Sequence, residues 1–366
     1  MLNDALLKKT PLYEKHEEHK ALLQPFGGWM MPIQYTGILA EYEQTRQRVS
    51  IFDISHMGEF IVEGDLRKTG LDRIVTSALA SVPVRASKYG AMLNPQGGVI
   101  DDLIVFRMDE DQWLLVVNAA TTEKDKAHLE AHLTDKAVFK DITMDTGKVD
   151  IQGPEARQQL LKLVKDIDKL DYYSFDFFDL LGENVLISRT GYTGELGYEI
   201  YYPWDKTVLL WDALLDLPGV EPAGLGARDM LRLEKGYSLY GHELKENVTA
   251  LTSGLGRFVD FDKEFIGKEA LSQQKKSGLT QKIMGIESQN RRSPRQGYSI
   301  FTADGKPIGT VTSGGFSPAL EKGIGLAFID IAHAQKGEAI QFGDDRRKFP
   351  GTITSRVFYK QGSLKD

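Results

Sequence analysis

An α+β body followed by a separate all-β C-terminal domain is the fold class this sequence predicts, and three observations carry the prediction. Short apolar runs of strand length are punctuated by glycine turns, and Gly makes up 36 of 366 residues, above the roughly 7% of average proteins. Between residues 90 and 217 these runs alternate with segments of helical periodicity, the mark of a mixed helix and sheet body. From about Ile283 onward helical periodicity fades and short strands follow one another across turns.

Taken in order, Gln96-Gly97-Gly98 reads as a turn leading into strands at 99–108 and 113–118. Residues 122–133 read as a helix opened by Thr121 or Thr122, with Ala127, Leu129 and Leu133 as its apolar side. A second round begins with a strand at 148–151, after which Gly153-Pro154 opens a helix carrying Leu160, Leu161 and Val164; proline suits a first helical turn because its missing N–H costs nothing there. Strands at 184–188 and 198–202 and a helix at 208–217 complete the body. The polar stretch Gln273-Gln274-Lys275-Lys276-Ser277-Gly278 reads as a linker, and Ala303-Asp304-Gly305 and Ser313-Gly314-Gly315 as turns of the C-terminal domain. No fixed-period repeat is present.

Composition excludes whole classes. A chain of 366 residues suggests two or three domains at roughly 150 residues each. Hydrophobic residues at 41% and charged residues at 27% argue against disorder and coiled coil. Lys+Arg 45 against Asp+Glu 52 gives a net charge of −7, a poor balance for a general nucleic-acid binder. There is no cysteine, which removes disulfides, thiolate zinc, iron–sulfur ligation and cysteine nucleophiles together. The stretch from Met1 to Lys9 has no apolar signal core, and no run approaches the length of a membrane span. The expectation is a soluble, cytoplasmic protein with no membrane contact.

Common catalytic signatures are missing too. No P-loop and no G-x-S-x-G elbow occurs, and Gly224-Leu225-Gly226 lacks the third glycine of a dinucleotide fingerprint. His16-Glu17-Glu18-His19 imitates a zincin, but Lys20 stands where its second histidine belongs. His128 and His132 could share a metal across one helical turn, yet no third ligand is apparent, so no metal is expected. The cationic groups around Arg291 and Arg346 read as solvated loops.

Three clusters do look chemical. In Val99-Ile100-Asp101-Asp102-Leu103-Ile104-Val105-Phe106, strand alternation sets Asp101 with Val99, Leu103 and Val105, and Asp102 with Ile100, Ile104 and Phe106. Both faces read as buried, and a desolvated carboxylate gains proton affinity, as a general base requires. The alternative is that both acids sit at the turn and bond backbone N–H groups. Glu195 lies among Gly191, Gly194 and Gly197, in a loop whose backbone is close-packed or touches a ligand; an ionised carboxylate there suits a ligand rich in N–H donors. Arg228 follows a glycine-rich lead-in at a helix start, placed to reach an anion or to pair with Asp229 or Glu234.

Together these blocks resemble one family along nearly the whole chain, the T-protein of the glycine cleavage system. The matching stretches are Thr10-Pro11-Leu12-Tyr13, Phe26-Gly27-Gly28-Trp29-Met30-Met31-Pro32, Phe52-Asp53-Ile54-Ser55-His56-Met57-Gly58, 97–105, Ile151-Gln152-Gly153-Pro154, 189–198, 224–232 and Gly314-Gly315-Phe316-Ser317-Pro318. The resemblance implies a three-lobed cloverleaf aminomethyltransferase fold with a small C-terminal β-barrel. Its implied layout is a folate-binding region over 1–275, in two lobes of roughly 1–50 plus 140–275 and 51–139, and a barrel over 280–366. It implies transfer of the methylene carbon from the aminomethyl-dihydrolipoyl arm of the lipoylated H-protein to tetrahydrofolate, with release of ammonia. Asp101 matches the catalytic aspartate, and Glu195 and Arg228 match positions that hold the pterin. Met57, Tyr89, Val116 and Asn118 match pocket-lining positions. A monomer using tetrahydrofolate as co-substrate and no metal is the expectation. Two other readings remain: a tetrahydrofolate-dependent demethylase of the same fold, and a non-catalytic folate-binding protein that could dispense with Asp101. The cysteine-bearing iron–sulfur assembly relatives are set apart by Lys235-Gly236-Tyr237, where they carry K-G-C.

Overall fold

The computed structural model describes residues 7–366, so the part of the N-terminal reading that rests on residues 1–6 lies outside the described residues. Beyond a small sheet of Lys8–Lys9, Trp29–Gln34 and Leu22–Phe26, the strands build three lobes. A six-stranded sheet runs Phe175–Leu180, Glu183–Ser188, Gly197–Pro203, Thr146–Gln152, Val49–Asp53, Val220–Pro222. A five-stranded sheet runs Ser87–Leu93, Val99–Asp109, Gln112–Val117, Gly58–Glu63, Val138–Asp141. The C-terminal lobe is a closed barrel ordered Gln281–Ser288, Lys322–Asp330, Pro307–Ser317, Ser299–Thr302, Ala339–Gly343, Lys348–Thr354. The all-β C-terminal domain expected from the turn spacing is therefore this barrel.

Each lobe closes over its own core. The six-stranded sheet buries Val49, Ile51, Val149, Ile151 and Ile200 against Leu210, Trp211 and Leu214 of the helix Thr207–Leu215. The five-stranded sheet buries Phe60, Val62, Leu103, Val105 and Leu115 against Leu71, Ile74 and Leu129. In the barrel Ile286, Ile300, Val311, Ile329, Phe342 and Ile353 fill the interior. Each such side chain contributes about 1.5–3 kcal/mol relative to exposure. The helix Leu225–Glu234 joins the lobes: Ala227 and Leu231 pack on Tyr42, Phe52 and Ile54, while Leu233 enters a cluster with Ile283, Ile324 and Leu326 of the barrel.

Four local expectations change. The helix after Pro154 is a short one, Ala156–Leu160, starting past the proline; Leu160 and Val164 are buried but Leu161 is exposed. Gly153 at φ +136° holds that turn so close to Arg48 that a Cβ would meet its carbonyl at 2.2 Å. The supposed linker is the second half of a helix, Lys268–Ser277. Gln and Lys are good helix formers, Leu271 is buried on the inward side, and Gly278 at φ +84° ends it. The helix Thr122–His132 buries Thr122, Asp125 and Leu129, whereas Ala127 is exposed, so a carboxylate occupies a position expected to be apolar. Finally, Ser313, Gly314 and Gly315 lie inside the strand Pro307–Ser317. The segment ahead of the barrel's second strand crosses this face, and a Cβ on Gly314 would stand 2.3 Å from the Pro294 carbonyl oxygen. No helix among the described residues is long and apolar enough to cross a membrane.

The close approach at Gly314 sets a prediction. Gly314→Ala should destabilise the protein by about 1–3 kcal/mol, the usual cost of overpacking, and thermal unfolding should show a lowered Tm. An unchanged Tm would mean that the 290–295 segment moves aside at no cost.

Candidate active site

Half-buried side chains gather where the five-stranded and six-stranded sheets face each other, and the five-stranded side holds the two adjacent aspartates. Pairing on the Ser87–Leu93 strand sets Asp101 opposite Met92 and Asp102 opposite Ala91, then slips so that Val99 meets Leu93. The bulge carries Ile100 into the core with Leu103 and Val105, away from the face of Asp102 where simple alternation placed it. Asp101 and Asp102 consequently point to opposite faces. Asp101 is 0% exposed. Its Oδ2 accepts the Asn118 backbone N–H at 3.0 Å, and its Oδ1 accepts Asn118 Nδ2 at 2.8 Å. Asp102 is half-buried; its Oδ1 accepts Asn118 Nδ2 at 2.9 Å and its Oδ2 accepts the Tyr89 hydroxyl at 2.8 Å. Ile104 and Val116, paired across the hairpin, extend this wall, and Met57 packs on the same cluster.

Burial, and next the charge of Asp101, push Asp102 up to about 7, against the downward pull of the Tyr89 and Asn118 hydrogen bonds. Burial, reinforced by Asp102, raises the Tyr89 phenol well above its ordinary range. Asp102 therefore exchanges its proton near neutral pH, while Tyr89 stays a donor.

The facing wall comes from the six-stranded sheet and the joining helix. Lys148, fully buried, pairs with Glu199 at 2.9 Å and lies 3.8 Å from the Met57 sulfur. Arg228 pairs with Asp150 at 2.6 Å and its guanidinium stands 5.1 Å from the Tyr192 ring centroid. Tyr192 in turn stacks on Tyr237 at 5.7 Å. Tyr173 is raised first by burial and then by Tyr237, Glu199 and Asp102, so acids of both walls act on one side chain between them. The glycine-rich loop has a packing role. A Cβ on Gly191 or Gly197 would lie 2.2 or 1.9 Å from the Gln152 amide, whose Nε2 donates to Asp150 at 2.6 Å. The glycines let Gln152 hold Asp150, and Asp150 holds Arg228.

The structure brings together Met57, Tyr89, Val116, Asn118 and Arg228, while two expected acids lie off the surface of this cleft. Asp101 is sealed on the far face of its strand, and Asp102 takes the open side. Glu195 is 2% exposed, and its carboxylate is spent within the chain. Its Oε1 accepts Arg46 at 2.7 Å, and its Oε2 accepts the Ser363 backbone N–H and hydroxyl, each at 2.7 Å. Glu199, four residues on, faces the cleft instead. Lys148, Asp150, Glu199 and Asp125 were not singled out from the sequence. For Glu199 a signal existed: Tyr198, Ile200 and Tyr202 enter the core, so alternation puts Glu199 on the other face. The His128 and His132 rings lie 4.4 Å apart, but no three potential metal ligands converge among the described residues.

Comparison with known proteins agrees with this architecture. A family model described as the GCVT N-terminal domain matches residues 12–263, and one described as the glycine cleavage T-protein C-terminal barrel domain matches 281–360. The chain belongs to the glycine cleavage T-protein family. Among its relatives in this family, the aminomethyltransferase of Caldanaerobacter subterraneus subsp. tengcongensis is 43% identical over 366 residues, covering 98% of each chain. That of Halothermothrix orenii is 43% identical over 357 residues, covering 96% of this chain and 100% of the relative. The crystal structure of glycine cleavage system aminomethyltransferase T from Bartonella henselae superposes with a TM-score of 0.92 at 31% identity, covering 97% of this chain and 99% of that one.

In this T-protein the cleft is braced by Arg46, whose side chain is 6% exposed and bridges Glu195 at 2.7 Å and Glu234 at 2.8 Å. Arg46→Met would leave two buried carboxylates unpaired, a cost of about 3–5 kcal/mol. Denaturant midpoints of wild type and variant at neutral pH check this; an unchanged midpoint would contradict it.

Proposed function

We propose that this aminomethyltransferase of the glycine cleavage system works through the cleft between Asp102 and Glu199, taking the methylene carbon from an aminomethyl group on the lipoyl arm of an H-protein and joining it to tetrahydrofolate. In balanced form, the methylene leaves its sulfur and its nitrogen and becomes bonded to N5 and N10 of the folate. The two protons displaced from N5 and N10 end one on the departing ammonia and one on the dihydrolipoyl sulfur. The chemistry is therefore two C–N bonds made, one C–S and one C–N bond broken, and protons carried between heteroatoms a few ångströms apart.

The observation that carries this reading is the pair of opposed acids with different settings. Asp102, pushed to about 7, suits a group that accepts a proton from a folate nitrogen and returns it to a leaving amine at neutral pH. Glu199, tied to Lys148 at 2.9 Å, suits a fixed acceptor for the N–H donors of a pterin edge. Tyr192 and Tyr237, stacked at 5.7 Å, and Met57 and Val116 supply the flat apolar surroundings a fused ring needs. Arg228, held on Asp150, fixes the orientation of Tyr192 beneath it. The donor set, rich in acceptors and aromatic faces, fits tetrahydrofolate.

Three variants separate the roles. Asp102→Asn should leave the Kd for tetrahydrofolate within a few-fold of wild type while turnover falls by about 10²–10⁴, the range of a positioned acid–base group. Glu199→Gln should raise that Kd by about tenfold or more, equivalent to about 1.4 kcal/mol, whereas Glu195→Gln should lower Tm with little change in folate affinity. Wild-type turnover in Asp102→Asn, or unaltered binding in Glu199→Gln, would overturn the assignment.

A further inference from the structure

The segment that leaves the barrel reaches back to the aromatic face of the cleft, through a residue that the reaction as described does not use. That face depends on how the helix Leu225–Glu234 ends. The Gly236 N–H bonds the Leu233 carbonyl at 2.9 Å and the Tyr237 N–H bonds the Arg232 carbonyl at 3.0 Å, a reversal that needs the left-handed φ of +69° at Gly236. It turns Tyr237 off the helix, to stack on Tyr192 with ring centroids 5.7 Å apart. A chain that has just left a helix no longer has the helical ladder to satisfy its polar groups. The direction of the Tyr237 ring therefore depends on what holds the residues on either side of it.

Arg356 holds them. It stands two residues beyond the last barrel strand, Lys348–Thr354. Its Nη2 donates to the Gly236 carbonyl at 2.9 Å and to the Ser238 hydroxyl at 2.8 Å, the two groups that flank Tyr237, and its Nη1 donates to the Ser253 carbonyl at 3.2 Å. The backbones approach as closely as the side chain does: a Cβ on Gly236 would stand 2.2 Å from the Arg356 carbonyl oxygen. Within this bracket the Tyr237 carbonyl accepts Arg232 Nη1 at 3.0 Å, and the Ser238 carbonyl accepts the Tyr192 hydroxyl. Just past Arg356, the Phe358 and Tyr359 N–H groups both bond the Glu234 carbonyl at 2.9 Å, so the segment lies along the helix end that it braces. A planar guanidinium serves three acceptors at once, a task that an ammonium group on a flexible stem does less well.

We propose that Arg356 is a positioning residue for tetrahydrofolate: by bracketing Tyr237 on both sides it fixes the ring against which the fused ring of the folate lies, so that a residue of the barrel's trailing segment sets folate affinity. The proposal rests on the reading of Tyr192 and Tyr237 as folate-binding surface. A ring already held in place needs no ordering when the ligand arrives, whereas a loose ring must be ordered at the expense of binding. The Arg356 hydrogen bonds go to Gly236, Ser238 and Ser253 and to neither Asp102 nor Glu199. Its influence therefore falls on affinity and leaves the proton transfers unchanged.

The test uses the full-length protein, well below its Tm. Arg356→Met keeps an apolar stem and removes the donors. The Kd for tetrahydrofolate should rise about tenfold, while kcat at saturating folate stays within about twofold of wild type. Arg356→Lys keeps the charge without the fork and should fall between the two. Ser238→Ala removes one acceptor of the bracket and leaves Arg356 in place; it should raise Kd a few-fold, and it carries the test if Arg356→Met does not fold. A double-mutant cycle with Tyr237→Leu separates positioning from general support. If Arg356 acts through the ring, Arg356→Met should add little to the loss already present in Tyr237→Leu, whereas independent effects would add. An unchanged Kd in both Arg356→Met and Ser238→Ala, or additive losses in the cycle, overturns the proposal. Wild-type affinity in Tyr237→Leu would instead remove the pocket reading, and the proposal with it. A Kd raised by Tyr237→Leu but by neither of the other variants would sink the proposal alone.

Discussion

Charge buried where three lobes meet must be paired, and this constraint organises the molecule. Arg46 ties Glu195 to Glu234, Arg232 holds Glu243 at 3.2 Å and the barrel residue Ser313 at 2.9 Å, Arg228 holds Asp150, and Lys148 holds Glu199. All but Arg232–Glu243 join segments some fifty or more residues apart, and Arg232 reaches the barrel through Ser313. Such pairs give little net stability, because desolvation cancels most of the attraction, but breaking one leaves an uncompensated buried charge. They therefore act as registration pins: the lobes have one arrangement in which every buried cation is satisfied. The Glu234 carboxylate shows the density of this pinning, since it also accepts the Tyr42 hydroxyl at 2.7 Å and the Ser317 hydroxyl at 2.5 Å.

Buried Glu59, its carboxylate without a hydrogen-bond partner among the described residues, is one exception; the acids around Asn118 are another, and the chemistry follows from them. Among the described residues Asp101, Asp102 and Asp125 have no cation within salt-bridge distance; Lys124, beside Asp125 on its helix, is committed to Glu246. With hydrogen bonds in place of ion pairs, proton affinity rises and a carboxyl group can exchange its proton near pH 7. Across the cleft Glu199 has the opposite arrangement, an ion pair with a fully buried lysine at 2.9 Å. One fold thus holds two carboxylates with different tasks, and the difference lies in what each is paired with.

Much of the frame was legible in the sequence, and the reasons are local. The hairpin of 99–109 and 112–117 shows because β-branched runs flank a tight turn, and the barrel shows because short strands and turns repeat without helical period. The helix Lys268–Ser277 read as a linker because its exposed side is polar throughout and only Leu271 points inward. The site was legible as a neighbourhood, less so as particular atoms. Asp101 and Asp102 stood out as acids in an apolar strand, but alternation could not choose the open one, and the bulge at Ile100 is invisible without the partner strand. Glu195 drew attention by its glycines, yet those glycines serve the packing of Gln152, while Glu199 is marked only by alternation, with Tyr198, Ile200 and Tyr202 turned to the core. Arg46 lies on a polar helix where nothing local marks it as buried; its role exists only through contacts with Glu195 and Glu234, far along the chain.

The most direct measurement of the central claim is a single-turnover reaction. The protein is mixed with an aminomethyl-loaded lipoyl carrier, with and without tetrahydrofolate, and ammonia and 5,10-methylenetetrahydrofolate are followed together. The account predicts that both appear in equal amounts, at matching rates, only when folate is present. Tight folate binding with no ammonia released, or a folate product formed without ammonia, would contradict it and point to a different one-carbon donor.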